Sequence, residues 1–191
     1  MINESFLKQL HKEYDEHEIT RRKISAAANE ILFSSKKTIF ALQKNKFTEA
    51  DEKFIQIENS FRALEKNFGH NRLQQEGAWR AAAEEYLEAK TFYAAIKNEE
   101  IKPSTDLNLE YESYLGGLCD LIGELVRYAT NSAANGQFLE AVKIKEKADE
   151  IMTQLVEFDF TGYLRTKYDQ ARGHWRKLEQ ISYDLRLKIK E

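Results

Sequence analysis

The sequence predicts an all-α fold, a single domain over residues 1–191 with about six or seven long helices. Three observations lead there. One proline and eight glycines are too few for the turns of an all-β fold. The stretches between these breakers carry apolar residues at steps of three and four, the period of a helix face. With 42% hydrophobic and 12% aromatic residues in 191, the chain can bury a core, which excludes global disorder.

The elements follow in order. Residues 3–45 contain neither Gly nor Pro, and Ile24, Ala27, Ala28, Ile31, Ile39 and Leu42 form a helical stripe. Thr48, with Asp51 and Glu52 behind it, reads as the N-cap and acidic first turn of a second helix. That helix carries Phe54, Ile57, Phe61 and Leu64 and stops near Gly69. An Ala-rich third helix is expected from Leu73 to Ile96, and Lys102-Pro103-Ser104-Thr105-Asp106 is the clearest loop. A fourth helix is expected over Leu107–Ala134, ended by Asn135-Gly136 in the left-handed conformation. A fifth runs from Phe138 to Val156. Thr161-Gly162 breaks the chain before a long last helix to Lys190. No strand, internal repeat or low-complexity linker is expected.

Composition narrows the setting. The lone Cys119 cannot form an internal disulfide, which suits a reducing cytoplasm. The opening Met1-Ile2-Asn3-Glu4 does not read as a signal peptide, and no apolar run approaches the ~20 residues of a membrane span. A cytoplasmic protein without membrane contact is therefore expected. The net charge of −3 conceals an asymmetry. Residues 20–46 hold seven basic residues and one acid, and residues 161–191 hold eight and four. Between them, residues 47–160 hold twelve basic and twenty-two acidic residues. Two basic helices around an acidic centre can form a polyanion path beside a carboxylate site. Ordinary solvated helix faces give the same pattern.

The acids of that centre stand where a core should be. Leu115, Leu118, Leu121, Ile122, Leu125 and Val126 make the fourth helix apolar nearly all round, which implies burial. Yet Asp120, Glu124, Arg127 and Asn131 recur along it as one polar stripe. Gly116, Gly117 and Gly123 weaken a helix interior by ~1 kcal/mol each, so close approach by a neighbouring helix or ligand must favour them. On the third helix, Glu85 and Glu88 are neighbours on one face. Two such pairs on facing helices would repel and take up protons unless a hard cation, Mg²⁺ or Mn²⁺, intervened. Neither pair contains the histidine of a di-iron Glu-x-x-His motif, and His17, His70 and His174 stand apart. Alternatively, Glu84 and Glu88 face solvent, with Arg80 pairing Glu84, while Asp120 and Glu124 bind Arg127 or another helix. Cys119 reads as a small buried residue, and Trp79, Trp175, Phe92 and Tyr93 as core or interface packing.

Several segments share a resemblance. Leu164-Arg165-Thr166-Lys167-Tyr168-Asp169 and Lys177-Leu178-Glu179-Gln180-Ile181-Ser182-Tyr183-Asp184-Leu185 resemble the ending of the translin family. Tyr114-Leu115-Gly116-Gly117, Gly123-Glu124-Leu125-Val126-Arg127 and Asn131-Ser132 with Gly136 resemble its central helix. Ser35-Lys36-Lys37-Thr38-Ile39-Phe40 resembles a segment of the family's translin-associated factor X (TRAX) branch. In that branch a Glu-x-x-Glu pair and an Asp-x-x-x-Glu pair line a Mg²⁺ site. Glu85 with Glu88, and Asp120 with Glu124, match them. Gln74-Gln75-Glu76-Gly77 departs from the His- and Arg-rich stretch of translin, whose nucleic-acid contacts there cannot be carried over.

The resemblance implies a translin-like helical bundle assembling as a homo-oligomer, an octamer, with substrate handled inside. It implies a Mg²⁺-dependent endoribonuclease, Mn²⁺ being able to serve, that cuts single-stranded or nicked RNA. Glu85, Glu88, Asp120 and Glu124 would be both catalytic residues and metal ligands. Substrate would come from the basic helices, through Arg21, Arg22, Lys36, Lys37, Arg165 and Arg172, and from Arg127 of the fourth helix. Arg165, Arg172, Arg176 and Tyr183 share a face of the last helix, opposite Ala171, Leu178 and Leu185, which fits a phosphate track or a subunit interface. The alternatives are a non-catalytic binder of single-stranded RNA or DNA and a purely structural helical scaffold.

Overall fold

Seven helices, with no strand among the described residues, make up the computed structural model, which describes residues 2–189 and side chains as far as Asp184. They are α1 (Glu4–Leu42), α2 (Phe47–Phe68), α3 (His70–Leu73), α4 (Gly77–Lys97), α5 (Tyr111–Ala134), α6 (Phe138–Leu155) and α7 (Gly162–Ile189). Lys190 and the side chain of Leu185 lie outside the described residues. No described helix is long and apolar enough to cross a membrane.

Helix α1 opens on Asn3, whose side chain accepts hydrogen bonds from the N–H groups of Ser5 and Phe6 at 2.9 and 3.2 Å. Its 39 residues extend about 58 Å. The first buried position is Ile24, and from there Ala28, Ile31, Ser35, Thr38 and Leu42 turn one stripe inward. Asn45, in the left-handed conformation at φ 56°, reverses the chain into α2. The packing then runs α2 on α1, α1 on α4 and α4 on α5, with α6 and α7 closing over the other side of α5. Helix α5 thus sits at the centre, as its apolar circumference requires. Aromatic edges fill the α2–α4 seam, where Phe61 meets Trp79 and Tyr86 at ring-centroid distances of 5.0 and 5.3 Å.

Three expected boundaries move. Helix α2 starts at Phe47 rather than after a Thr48 cap; its N-cap is Lys46, whose amine reaches Glu49 at 3.4 Å. The third long helix begins at Gly77, because Leu73 is drawn into the core by the single turn α3. Arg72 and Glu76 close that corner at 2.5 Å. Helix α5 begins at Tyr111, not Leu107. Leu107 is buried from the loop, and Tyr114 Oη accepts the Ser104 N–H at 2.9 Å, which pins the loop back. The expected stop at Asn135-Gly136 is present, with Gly136 at φ 77°.

Candidate functional site

The α4–α5 contact places the acids. Gly117 makes it possible: a Cβ there would stand 3.0 Å from the Glu88 nitrogen and 3.1 Å from the Glu84 carbonyl oxygen. The two backbones touch at this level, so residues 84–88 face residues 117–124. A Cβ on Gly116 would run into the Glu84 carboxylate itself. Gly123 leaves room for the ring of His174 from α7. The close approach expected from these glycines is therefore made by two helices, α4 and α7.

Each acid has different company. Glu88 is buried, with 8% of its surface exposed, and has no ion-pair partner among the described residues. Burial and the charges of Glu85, Asp120 and Glu124 push its carboxyl up to about 9. Glu85 is also raised, by burial first, against the Lys36 ammonium 3.8 Å away, and by Asp120 and Glu124. Glu124 accepts from Gln43, the residue that caps α1, at 2.7 Å and meets Arg127 at 3.4 Å. Asn131 reaches the same Gln43 at 3.5 Å, so Gln43 bridges Glu124 and Asn131 of the α5 polar stripe.

Asp120 is held by Lys167 of α7 at 2.5 Å, and the same ammonium lies 2.8 Å from Glu84. Burial alone would lower this amine's pKa. Hydrogen bonds to Asp120 and Glu84, with their charges, outweigh it and raise the amine above the ordinary lysine value. Tyr163 donates to Glu84 at 2.7 Å. The alternative of solvent-facing Glu84 and Glu88 is thus overturned for both, and Arg80 is not Glu84's partner. Pairing of Asp120 and Glu124 with other helices is seen.

These residues suit a hard cation by donor chemistry: four carboxylates from two facing helices, one of them buried and uncompensated. They are not gathered as ligands. Among the described residues no group of three or more His, Cys, Asp or Glu is placed to hold a metal ion.

The basic residues separate into groups. Lys36 and Arg127 border the acids, each against one of them. Lys37 lies 4.3 Å from the Phe33 ring centroid on the outer side of α1. Arg21 pairs with Glu18 at 2.8 Å, and it and exposed Arg22 lie on the unsupported part of α1. That is fifteen residues from Lys36, or about 22 Å along the axis. Arg165 and Arg172 both turn to Asp169, at 2.9 and 3.7 Å, away from the cluster. Ala171 and Leu178 are buried on the other face of α7.

Sequence reasoning missed Gln43, Lys167 and Tyr163 as parts of the site. Lys167 sits four residues after Tyr163, one helical turn, and both meet Glu84. That spacing is the signal that was available. Among the histidines, His70 binds Glu110 at 2.9 Å and His17 lies 4.0 Å from Glu18, away from the four acids. Cys119 is buried, its thiol pushed up to about 12 by burial and by Asp120.

The family model described as "Translin family" matches residues 8–189. Translin of Gallus gallus is 28% identical over 109 residues, covering 54% of this chain and 48% of that protein. The chain spans about half the length of the curated relatives it matches. The crystal structure of AfC3PO is 25% identical at a TM-score of 0.81, covering 97% of this chain and 99% of that one. The structure of an AfC3PO–duplex RNA complex gives 25% and 0.80, covering 95% and 97%. Matched from residue 8 to residue 189 and folded alike throughout, the chain belongs to the translin family.

Proposed function

We propose that this chain binds RNA and, within a translin-type homo-oligomer such as an octamer, cleaves single-stranded or nicked RNA as a Mg²⁺-dependent endoribonuclease. The observation that carries the reading is Glu88, buried without a counter-ion beside three further carboxylates. Such a charge is costly to keep unless something cationic meets it. That a relative, AfC3PO, has been solved with duplex RNA supports RNA as the class of ligand.

Glu85, Glu88, Asp120 and Glu124 would hold Mg²⁺, or Mn²⁺ in its place. The chemistry such a cation supplies is neutralisation of phosphate charge and a lowered pKa for water. The chain's own residues do the rest. Glu88 holds a proton at neutral pH and would give it up to serve as a ligand. Lys167 and Gln43 fix Asp120 and Glu124 from outside and Lys36 meets Glu85, leaving Glu88 as the carboxylate with no partner of its own among the described residues. Lys36 stands at the rim of the acids with its side chain more than half exposed, and draws a phosphate toward a centre that would otherwise repel it.

One observation favours a second reading, a non-catalytic binder of single-stranded RNA or DNA. Lys167 already neutralises Asp120, and the acids are not drawn together as ligands. Cleavage of a labelled single-stranded RNA in Mg²⁺, Mn²⁺ or EDTA, by the wild type and Asp120→Asn, separates the two. The nuclease reading expects metal-dependent cutting that the variant loses while still binding RNA. Binding without cutting in either metal overturns it in favour of the binder.

A further inference from the structure

Helix α1 carries a second stripe that the acid site does not use. Phe33, Lys37, Phe40 and Lys44 follow one another at steps of four, three and four; the first three form one line along α1, and Lys44 in the turn just past its end continues it. That line lies two residues, hence about 200°, round from the inward stripe of Ile31, Ser35, Thr38 and Leu42. Both rings are open: Phe33 is 58% and Phe40 54% exposed. Each is covered by the amine that follows it, Lys37 over Phe33 and Lys44 over Phe40, both 4.3 Å from the ring centroid. Arg127 of α5 approaches Phe40 at 5.8 Å. A shallow depression around Phe40 is lined by Lys36, Lys37, Lys44 and Lys46, with Glu49 the one acid.

We infer that Phe33 and Phe40 form a base-stacking platform that selects unpaired nucleic acid and leads it to the acid cluster. The inference rests on the proposed RNA-binding reading and adds to it which strands are accepted and by which residues. Lysine is depleted from the apolar centres of protein interfaces, yet here one stands over each of the stripe's two open rings. A partner that suits both must be flat, aromatic and negatively charged at short intervals, as a single strand is. An exposed cation–π contact is worth less than a stacked base, so a base displaces the ammonium from the ring. The freed ammonium then meets the adjoining phosphate. In a duplex the base faces are already stacked on one another, and the platform has nothing to take. Lys36, one residue from Lys37, faces Glu85, while Arg127 joins Phe40 to Glu124, so a strand on the platform runs alongside the acids.

The test is fluorescence anisotropy in EDTA, where nothing is cut, with a short labelled oligouridylate and a blunt RNA duplex of equal length. Phe33→Ala/Phe40→Ala is expected to weaken single-strand binding at least ~10-fold. Its duplex binding should stay within about twofold of wild type, and Phe33→Trp/Phe40→Trp should restore the single strand. Lys37→Met/Lys44→Met should lower the log–log salt slope by about 1.4, at roughly 0.7 per phosphate contact. Unchanged single-strand binding by the alanine pair overturns the inference. So does loss of assembly state in sedimentation with affinity retained, which would assign the rings to packing between copies. Metal-dependent cutting is scored separately on the same proteins, so a platform without a nuclease and a nuclease without a platform give different results.

Discussion

Glu88→Gln keeps the shape of the buried side chain while removing its ability to ionise. In the fold this carboxyl is pushed up to about 9, against an ordinary value of 4.5. Between those values the folded protein holds a proton that the unfolded chain has lost, so stability falls as pH rises. The slope is about 1.4 kcal/mol per pH unit, or roughly 3 kcal/mol from about pH 5.5 to about pH 8. That is a large share of the roughly 5–15 kcal/mol that holds a domain together. Below the unfolded value both states are protonated and the contribution is fully present. Glu85, raised for the same first reason, adds a slope of the same sign. The assay is urea unfolding in EDTA at both ends of this range. The stability advantage of Glu88→Gln over the wild type should be about 3 kcal/mol larger at the alkaline end than at the acid end. Mg²⁺ added there should stabilise the wild type and leave the variant unmoved. A wild-type stability that is flat across the range, or a variant weakened equally at both ends, refutes the argument.

Lys167→Met leaves Glu84 and Asp120 without their shared cation and should cost about 3 kcal/mol in urea unfolding. Gly117→Ala should destabilise by about 1–2 kcal/mol, since its methyl meets the α4 backbone. Gly173→Ala, with nothing within 4 Å of the added carbon, should stabilise by up to ~1 kcal/mol through helix propensity alone. Thermal melts of the two glycine variants should therefore move in opposite directions. Cys119, buried and raised to about 12, should resist a disulfide reagent in the native protein and react at once in urea.

Periodicity was enough to place six long helices, since residues such as Ile24, Phe61, Leu121 and Ala171 recur at the period of the faces they bury. Starts were less legible than stops. Gly69 and Gly136 adopt positive φ and announce themselves, whereas α2, α4 and α5 open without a capping side chain. Their first residues are decided by what the preceding loop buries, as with Leu73 and Leu107. Within the site, the face shared by Glu85 and Glu88 and the polar stripe of α5 were readable as spacing. What spacing could not give is which helix answers each acid. Gln43 is eighty-one residues from Glu124, and Lys167 forty-seven from Asp120. Only tertiary packing brings them together.

Lys167 also gives the molecule an order in time. All four acids precede it in the chain, Glu124 by some forty residues. At a synthesis rate of about 5–20 residues per second, the acids emerge about 2–9 seconds before the amine that will hold Asp120. During that interval α4 and α5 have the glycines to close on one another but lack the positive charge that makes closing favourable. Until α7 arrives, Asp120 has no basic partner among the described residues. Helix α7 is then the last piece of the site to be made, and its docking supplies the one ammonium that Asp120 and Glu84 share.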